Sequence, residues 1–153
     1  MKTARQLTLA ILFLLIAGAF YGSYHLITDS TGSSIGLPFY LLNGSPIKDY
    51  SLPGWLLLFT VGIPSSMVVI EIWRKSKRYS FLIMLQGILL SLFIIVQMIL
   101  FGETFLIQFV FLFLGIALIG LGLLQHQRKI IVEAGKKTMP APKSHHHKHR
   151  KHR

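Results

Sequence analysis

Tyr79 to Leu124 reads YSFLIMLQGILLSLFIIVQMILFGETFLIQFVFLFLGIALIGLGLL, and Glu103 is its only charged residue. The runs 79–101 and 105–124 each supply the ~20 apolar residues that a helix needs to cross ~30 Å of hydrocarbon. Between them stands only Gly102-Glu103-Thr104, enough for a tight turn. The stretch therefore predicts two membrane-spanning helices folded back on each other.

Working outward, residues 7–27 and 54–73 have the same character. Over the 153 residues 52% are hydrophobic and the mean hydropathy is +0.59, too apolar for a soluble domain of this size. The expected fold is an all-α membrane protein. Residues 1–124 form a four-helix transmembrane bundle with a loop over 28–53, and residues 125–153 form a basic tail.

Lysine and arginine near span ends are retained in the cytoplasm. Lys2 and Arg5 precede the first span, Arg74, Lys75, Lys77 and Arg78 join the second to the third, and nine more follow the fourth; Lys48 alone lies opposite. Both termini are therefore expected in the cytoplasm of a bacterial inner (plasma) membrane, with loop 28–53 and the Gly102–Thr104 turn outside. This placement accounts for most of the net charge of +11. Anionic lipid headgroups are the expected partner of the basic tail, and nucleic acid is not, because no zinc-finger spacing or RNA-binding sheet motif accompanies the cations.

The chain has no cysteine, which excludes disulfides and thiol chemistry. Lys2 and Arg5 before an apolar run ending at Ala17-Gly18-Ala19 resemble a cleaved signal peptide. Continuation through Phe20, Tyr21, Tyr24, Leu26 and Ile27 suits an uncleaved span.

Polar residues inside hydrocarbon face neighbouring helices. Gln86 and Gln97 are eleven residues apart, about three turns, and share a face with Leu90 and Phe93. Two readings stand for them, an amide-lined ligand site and interhelical hydrogen bonding, and the second is favoured. Gln108, Gly115 and Gly122 recur every seven residues and predict a close-packing seam. Gly18 and Gly22 have the small-residue spacing of a helix contact, with His25 on the same side. His25 has only Asp29 as a nearby ligand partner, so a structural histidine is expected rather than a metal site. Pro64 lacks an N–H and clashes with the Thr60 carbonyl, which predicts a kink. Glu71 is expected to pair with Lys75, and Trp73 to anchor at the interface.

No zinc-binding histidine pair, serine elbow, phosphate loop or intramembrane carboxylate pair is present. The expectation is a non-catalytic protein without cofactor or metal.

Between the first two spans lies LPFYLLNGSPIKDYSLPGW, Leu37 to Trp55, too apolar and too heavily punctuated for a plain connector. It reads as a cap over the bundle end, a ligand-binding loop being the alternative. Its shape is assigned to Ser45, Pro46, Asp49, Pro53 and Gly54, with a short amphipathic helix near Pro38–Leu42 burying Phe39 and Leu42.

The glycine pair of the first span, the loop GLPFYLLNGSPIKDYSLPGW, the run GILLSLFIIVQMILFG and a glutamine early in the fourth span together resemble a group of small bacterial four-span membrane proteins. The resemblance covers roughly residues 15–122, and SP-I-x-D-Y-x-L-P-G is its most specific part. It matches Ser45, Pro46, Asp49, Pro53, Gly54, Gln97 and Gln108 and brings no activity to them; Ile47 stands where an aromatic is expected.

After the fourth span, Gln125 to Val132 prolong the helix, and Gly135 to Ser144, with Pro140 and Pro142, are expected to break it. The ending HHHKHRKHR is expected to be disordered, with imidazoles able to bind Ni²⁺, Zn²⁺ or Cu²⁺. Two functions follow: a structural or accessory subunit with a membrane-protein partner, or a carrier of a small molecule, lipid or quinone in a cavity beneath the cap.

Overall fold

The computed structural model describes residues 2–139. Among these residues all regular structure is helical, and the chain is a multi-pass membrane protein. Four helices, α1 (Lys2–Thr28), α2 (Ser51–Trp73), α3 (Tyr79–Phe101) and α4 (Leu106–Thr138), are each long and apolar enough to cross a bilayer. Pro140, Pro142 and the histidine-rich ending lie outside the described residues.

The helices form an antiparallel bundle of two tight pairs, α1 with α2 and α3 with α4, while the α2–α3 and α1–α4 contacts are sparser. Leu12, Leu15, Ile72, Ile83, Leu90 and Leu118, drawn from all four helices, are almost wholly buried. Ile99, Leu106 and Phe113 point outward, as suits a bundle whose solvent is hydrocarbon.

Close approach of α3 and α4 depends on glycine. A Cβ built at Gly87 would sit 2.6 Å from the Gly115 carbonyl oxygen, and one at Gly115 would sit 2.5 Å from Ser91 Oγ. Gln108, Gly115, Leu118, Gly122 and Gln125 are the buried residues of α4, so the heptad stripe is the face against α3. Gly87 on the opposing helix is the counterpart that spacing alone does not reveal.

In α2 the chain runs α-helical over Ser51–Leu57, widens into a π-turn over Leu58–Gly62 and resumes over Ile63–Trp73. Ile63 N–H donates to the Leu58 carbonyl, an i+5 bond. This turn comes just before Pro64, whose ring would strike the Thr60 carbonyl in a regular helix; the wider turn relieves the clash. The helix also starts at Ser51 rather than Gly54, so Pro53 falls within its first turn, where the missing N–H costs nothing.

Three local expectations are corrected. Glu71 pairs with Arg74 at 3.9 Å, not with Lys75. Lys75 has left the helix, with φ of +53°, so its side chain no longer falls one turn beyond Glu71. The loop near Pro38 forms a single 3₁₀ turn, Phe39–Leu42, that buries Leu41 and Leu42 while Phe39 stays half exposed. One turn between two loops has no continuous face, and it is the adjacent leucines that meet the helix ends. Finally, α4 passes through Gly135 to Thr138. One helical glycine costs only ~1 kcal/mol, whereas proline restricts its predecessor, and Met139 before Pro140 is extended with ψ of 121°.

A cavity beneath the cap

The loop between α1 and α2 is a packed lid. Leu26, Leu42, Ile47 and Tyr50 form a second small core, flanked by Ile35, Leu37, Leu100 and Phe101, so the loop covers the ends of α1 and α3. Tyr50 holds it together. Its hydroxyl donates to the Pro38 carbonyl at 2.7 Å and its N–H to the Ser30 carbonyl at 2.9 Å, while its carbonyl accepts from Gly54 N–H at 3.1 Å. Its ring lies 6.0 Å from Phe101. Burial, and then the neighbouring Tyr40, push the Tyr50 phenol above its usual pKa. Gly32, at φ of +75°, leaves the room: a Cβ there would lie 2.8 Å from the Tyr50 ring.

Carboxylates set the turns. Asp29 accepts the Thr31 hydroxyl at 2.6 Å, the Ser33 hydroxyl at 2.8 Å, and the backbone N–H groups of Ser34 at 2.9 Å and Thr31 at 3.2 Å. These donors, the side-chain hydroxyls foremost, hold its carboxyl well below the usual range. Asp49 accepts the Ser51 hydroxyl at 2.5 Å and its N–H at 3.0 Å, at the entry to α2, and its pKa is lowered for the same reason. Ser45 Oγ accepts Ile47 N–H at 3.2 Å across Pro46. Pro53 and Gly54 are buried against α1. Tyr40 donates to Glu103 at 3.3 Å, tying the lid to the α3–α4 turn.

Beneath the lid lie two adjoining spaces, one of about 280 Å³ among the four helices and one of about 270 Å³ between lid and helix ends. Leu26, Gln97, Ile107 and Gln108 line both. The walls are otherwise apolar, built from residues such as Leu15, Val61, Leu90 and Phe111. Gln108 is 6% exposed, and its Oε1 accepts Phe105 N–H at 2.9 Å, which closes the first turn of α4. Its NH₂ group, and the whole amide of half-buried Gln97, make no hydrogen bond to the described residues.

The pair read from α3 is thus divided. Gln86 and Gln97 do share the inward face, but eleven residues place them about 16 Å apart along the axis. Gln86 lines a different groove of about 420 Å³ between α2 and α3, with Pro64, Met67, Leu82, Glu71 and Arg78. Its Nε2 donates to the Thr60 carbonyl at 3.4 Å, and its buried Oε1 has no partner among the described residues. Gln97 lines the spaces beneath the cap together with Gln108 of α4 instead.

His25 lies tilted against the Tyr21 ring at 4.4 Å and edge-on to Tyr24 at 5.5 Å, and lines neither space. Gly18 and Gly22 line the inner space: a Cβ at Gly18 would stand 3.7 Å from the Phe111 ring, and one at Gly22 3.1 Å from Leu57. Among the described residues no group of three or more His, Cys, Asp or Glu side chains is placed to hold a metal ion.

Sequence reasoning overlooked the clasp at the basic end. Gln125 donates to Thr8 at 3.0 Å, Arg5 donates to the Ile72 carbonyl at 3.2 Å, and Lys129 donates to the Lys77 carbonyl at 3.1 Å while lying over the Tyr79 ring. Gln125 was detectable, because it follows Gly122 by three residues on the heptad stripe. No protein-family model, curated protein or solved structure matches the chain.

Proposed function

We propose that the protein acts by binding rather than catalysis, holding one mainly apolar molecule of the lipid or quinone class beneath its cap. The observation that carries this is the pair of adjoining spaces with Gln97 and Gln108 in their shared wall: apolar walls supply affinity, and two incompletely paired amides fix a polar head. Its setting is a bacterial inner membrane with both termini cytoplasmic, supported by Lys2, Arg5, the Arg74–Arg78 turn, Arg128, Lys129, Lys136 and Lys137 at one end of the bundle. Those cations face anionic headgroups. Native mass spectrometry of the protein from mild detergent is expected to show a discrete ligand that Gln97→Leu diminishes. Equal bulk lipid in both would refute the reading.

A second reading, an accessory subunit of a larger assembly, is favoured by α4. Its 33 residues extend about 50 Å, beyond a ~30 Å hydrocarbon layer, and expose Ile130, Ile131 and Val132 past the clasp. A stable membrane partner retained by the intact chain, and released when these three become serine, is the expected result; retention after the change would count against it.

A further inference from the structure

The two glutamines do not offer a ligand the same chemistry. Because Gln108 Oε1 is taken by Phe105 N–H, the orientation of that amide is fixed, and what it turns to the cavity is NH₂, which can only donate. Gln97, unpaired on the facing helix, can rotate to present either end. A carbonyl oxygen takes a donor from each glutamine, a hydroxyl accepts from Gln108 and donates to the Gln97 oxygen, and a hydrocarbon end makes neither bond and leaves both amides unanswered. Neither space is lined by lysine, arginine or histidine, so an anionic head would lie unpaired among apolar walls.

The tail's way out is the least tightly packed side of the bundle. The α1–α4 seam is the loosest of the four around the bundle. There the tip of the Phe111 ring closes the wall, 3.7 Å from where a Cβ on exposed Gly18 would stand, so a chain passes by displacing that one ring.

We propose that the site selects a lipid with a neutral, hydrogen-bond-accepting head, its head oxygen reached by the amides of Gln97 and Gln108 and its chain leaving along the α1–α4 seam. This rests on the cavity being a binding site. The test uses the full chain in nanodiscs and three probes with one prenyl chain: a benzoquinone, the corresponding alcohol and the corresponding hydrocarbon. The quinone and the alcohol are each expected to bind at least about tenfold more tightly than the hydrocarbon, the effect of one hydrogen bond or more. Gln108→Glu keeps an oxygen for Phe105 N–H but replaces NH₂ with a group that donates only when protonated. This variant is expected to bind quinone at low pH and lose it as the carboxyl ionises. The wild type stays flat from about pH 5 to 8, since Tyr50, the titratable side chain on the cavity wall, ionises far higher. Gln97→Leu, which touches no turn, should weaken quinone and leave the hydrocarbon unchanged. Equal binding of all three probes, or a Gln108→Glu variant that binds quinone without pH dependence, overturns the assignment of an acceptor head while the cavity still binds. Failure of every probe overturns the binding site and this inference with it.

Discussion

At Gly54 a methyl group has nowhere to go: a Cβ there would lie 2.8 Å from Leu26 Cβ and 3.3 Å from the Ile27 backbone nitrogen. Backbone cannot swing aside as a side-chain tip can, so Gly54→Leu is expected to cost upward of ~1–3 kcal/mol, the range for overpacking, and to give the largest fall in melting temperature among single changes in the cap. Asp49 tests the same turn more gently. Both of its bonds to Ser51 end on one oxygen. Asparagine retains such an oxygen, so Asp49→Asn should melt closer to wild type than Asp49→Ala, whereas a ligand-binding aspartate would lose binding in both at unchanged melting temperature. Acid should loosen this lid. Folding lowers the pKa of Asp29 and Asp49, so the unfolded chain takes up protons first; their contribution is complete above about pH 5 and declines as pH falls below the ordinary aspartate value near 4. Melting curves across that window should show the decline in wild type and a shallower one in the Asp29→Asn, Asp49→Asn double variant.

Helix α4 carries its own control. Gly115 lies on the seam, whereas nothing stands within 4 Å of a Cβ at Gly120. Gly115→Ala should therefore destabilise by ~1–3 kcal/mol through forced separation from Ser91 and Gly87, while Gly120→Ala should be neutral or stabilising by up to ~1 kcal/mol. Thermal unfolding in detergent distinguishes the two, and equal effects would mean that the seam is looser than its geometry. The spans themselves were legible because an apolar run of that length has few other destinations, and the seam was legible because spacing reports a helical face. Height was not. Periodicity places Gln97 on the inward side of α3 but says nothing of which α4 residue arrives at its level, so the sharing of one space by Gln97 and Gln108 emerges only from the packed helices, while Gln86 makes the interhelical hydrogen bond that the favoured reading expects. The cap was legible as a cap from its prolines and apolar residues, yet the role of Tyr50 was not, because its partners Ser30 and Pro38 are brought near it by the left-handed turn at Gly32 and the hydrogen bonds of Asp29.

For the molecule as a whole, orientation is the simplest proposal to test, since the cysteine-free chain accepts single labels. A cysteine at Ser34 should react with an impermeant maleimide added to intact cells, and one at Lys137 should not; the reverse pattern would invert the protein in its membrane. The division of the bundle into two tight pairs joined by sparser contacts bears on how the protein is made. The first pair can insert and close while the second is still in the ribosome, and the only covalent link between them is the short turn around Lys75 and Ser76. Two polypeptides, 1–75 and 76–153, produced in one cell are therefore expected to insert separately and associate in the lipid, recoverable together through a tag on either. The walls beneath the lid come from both halves, with Leu15, Leu57 and Val61 on one and Leu90, Gln97 and Phe111 on the other. A molecule seated there works as mortar between separately built walls, and the two fragments should hold together longer in its presence than without it.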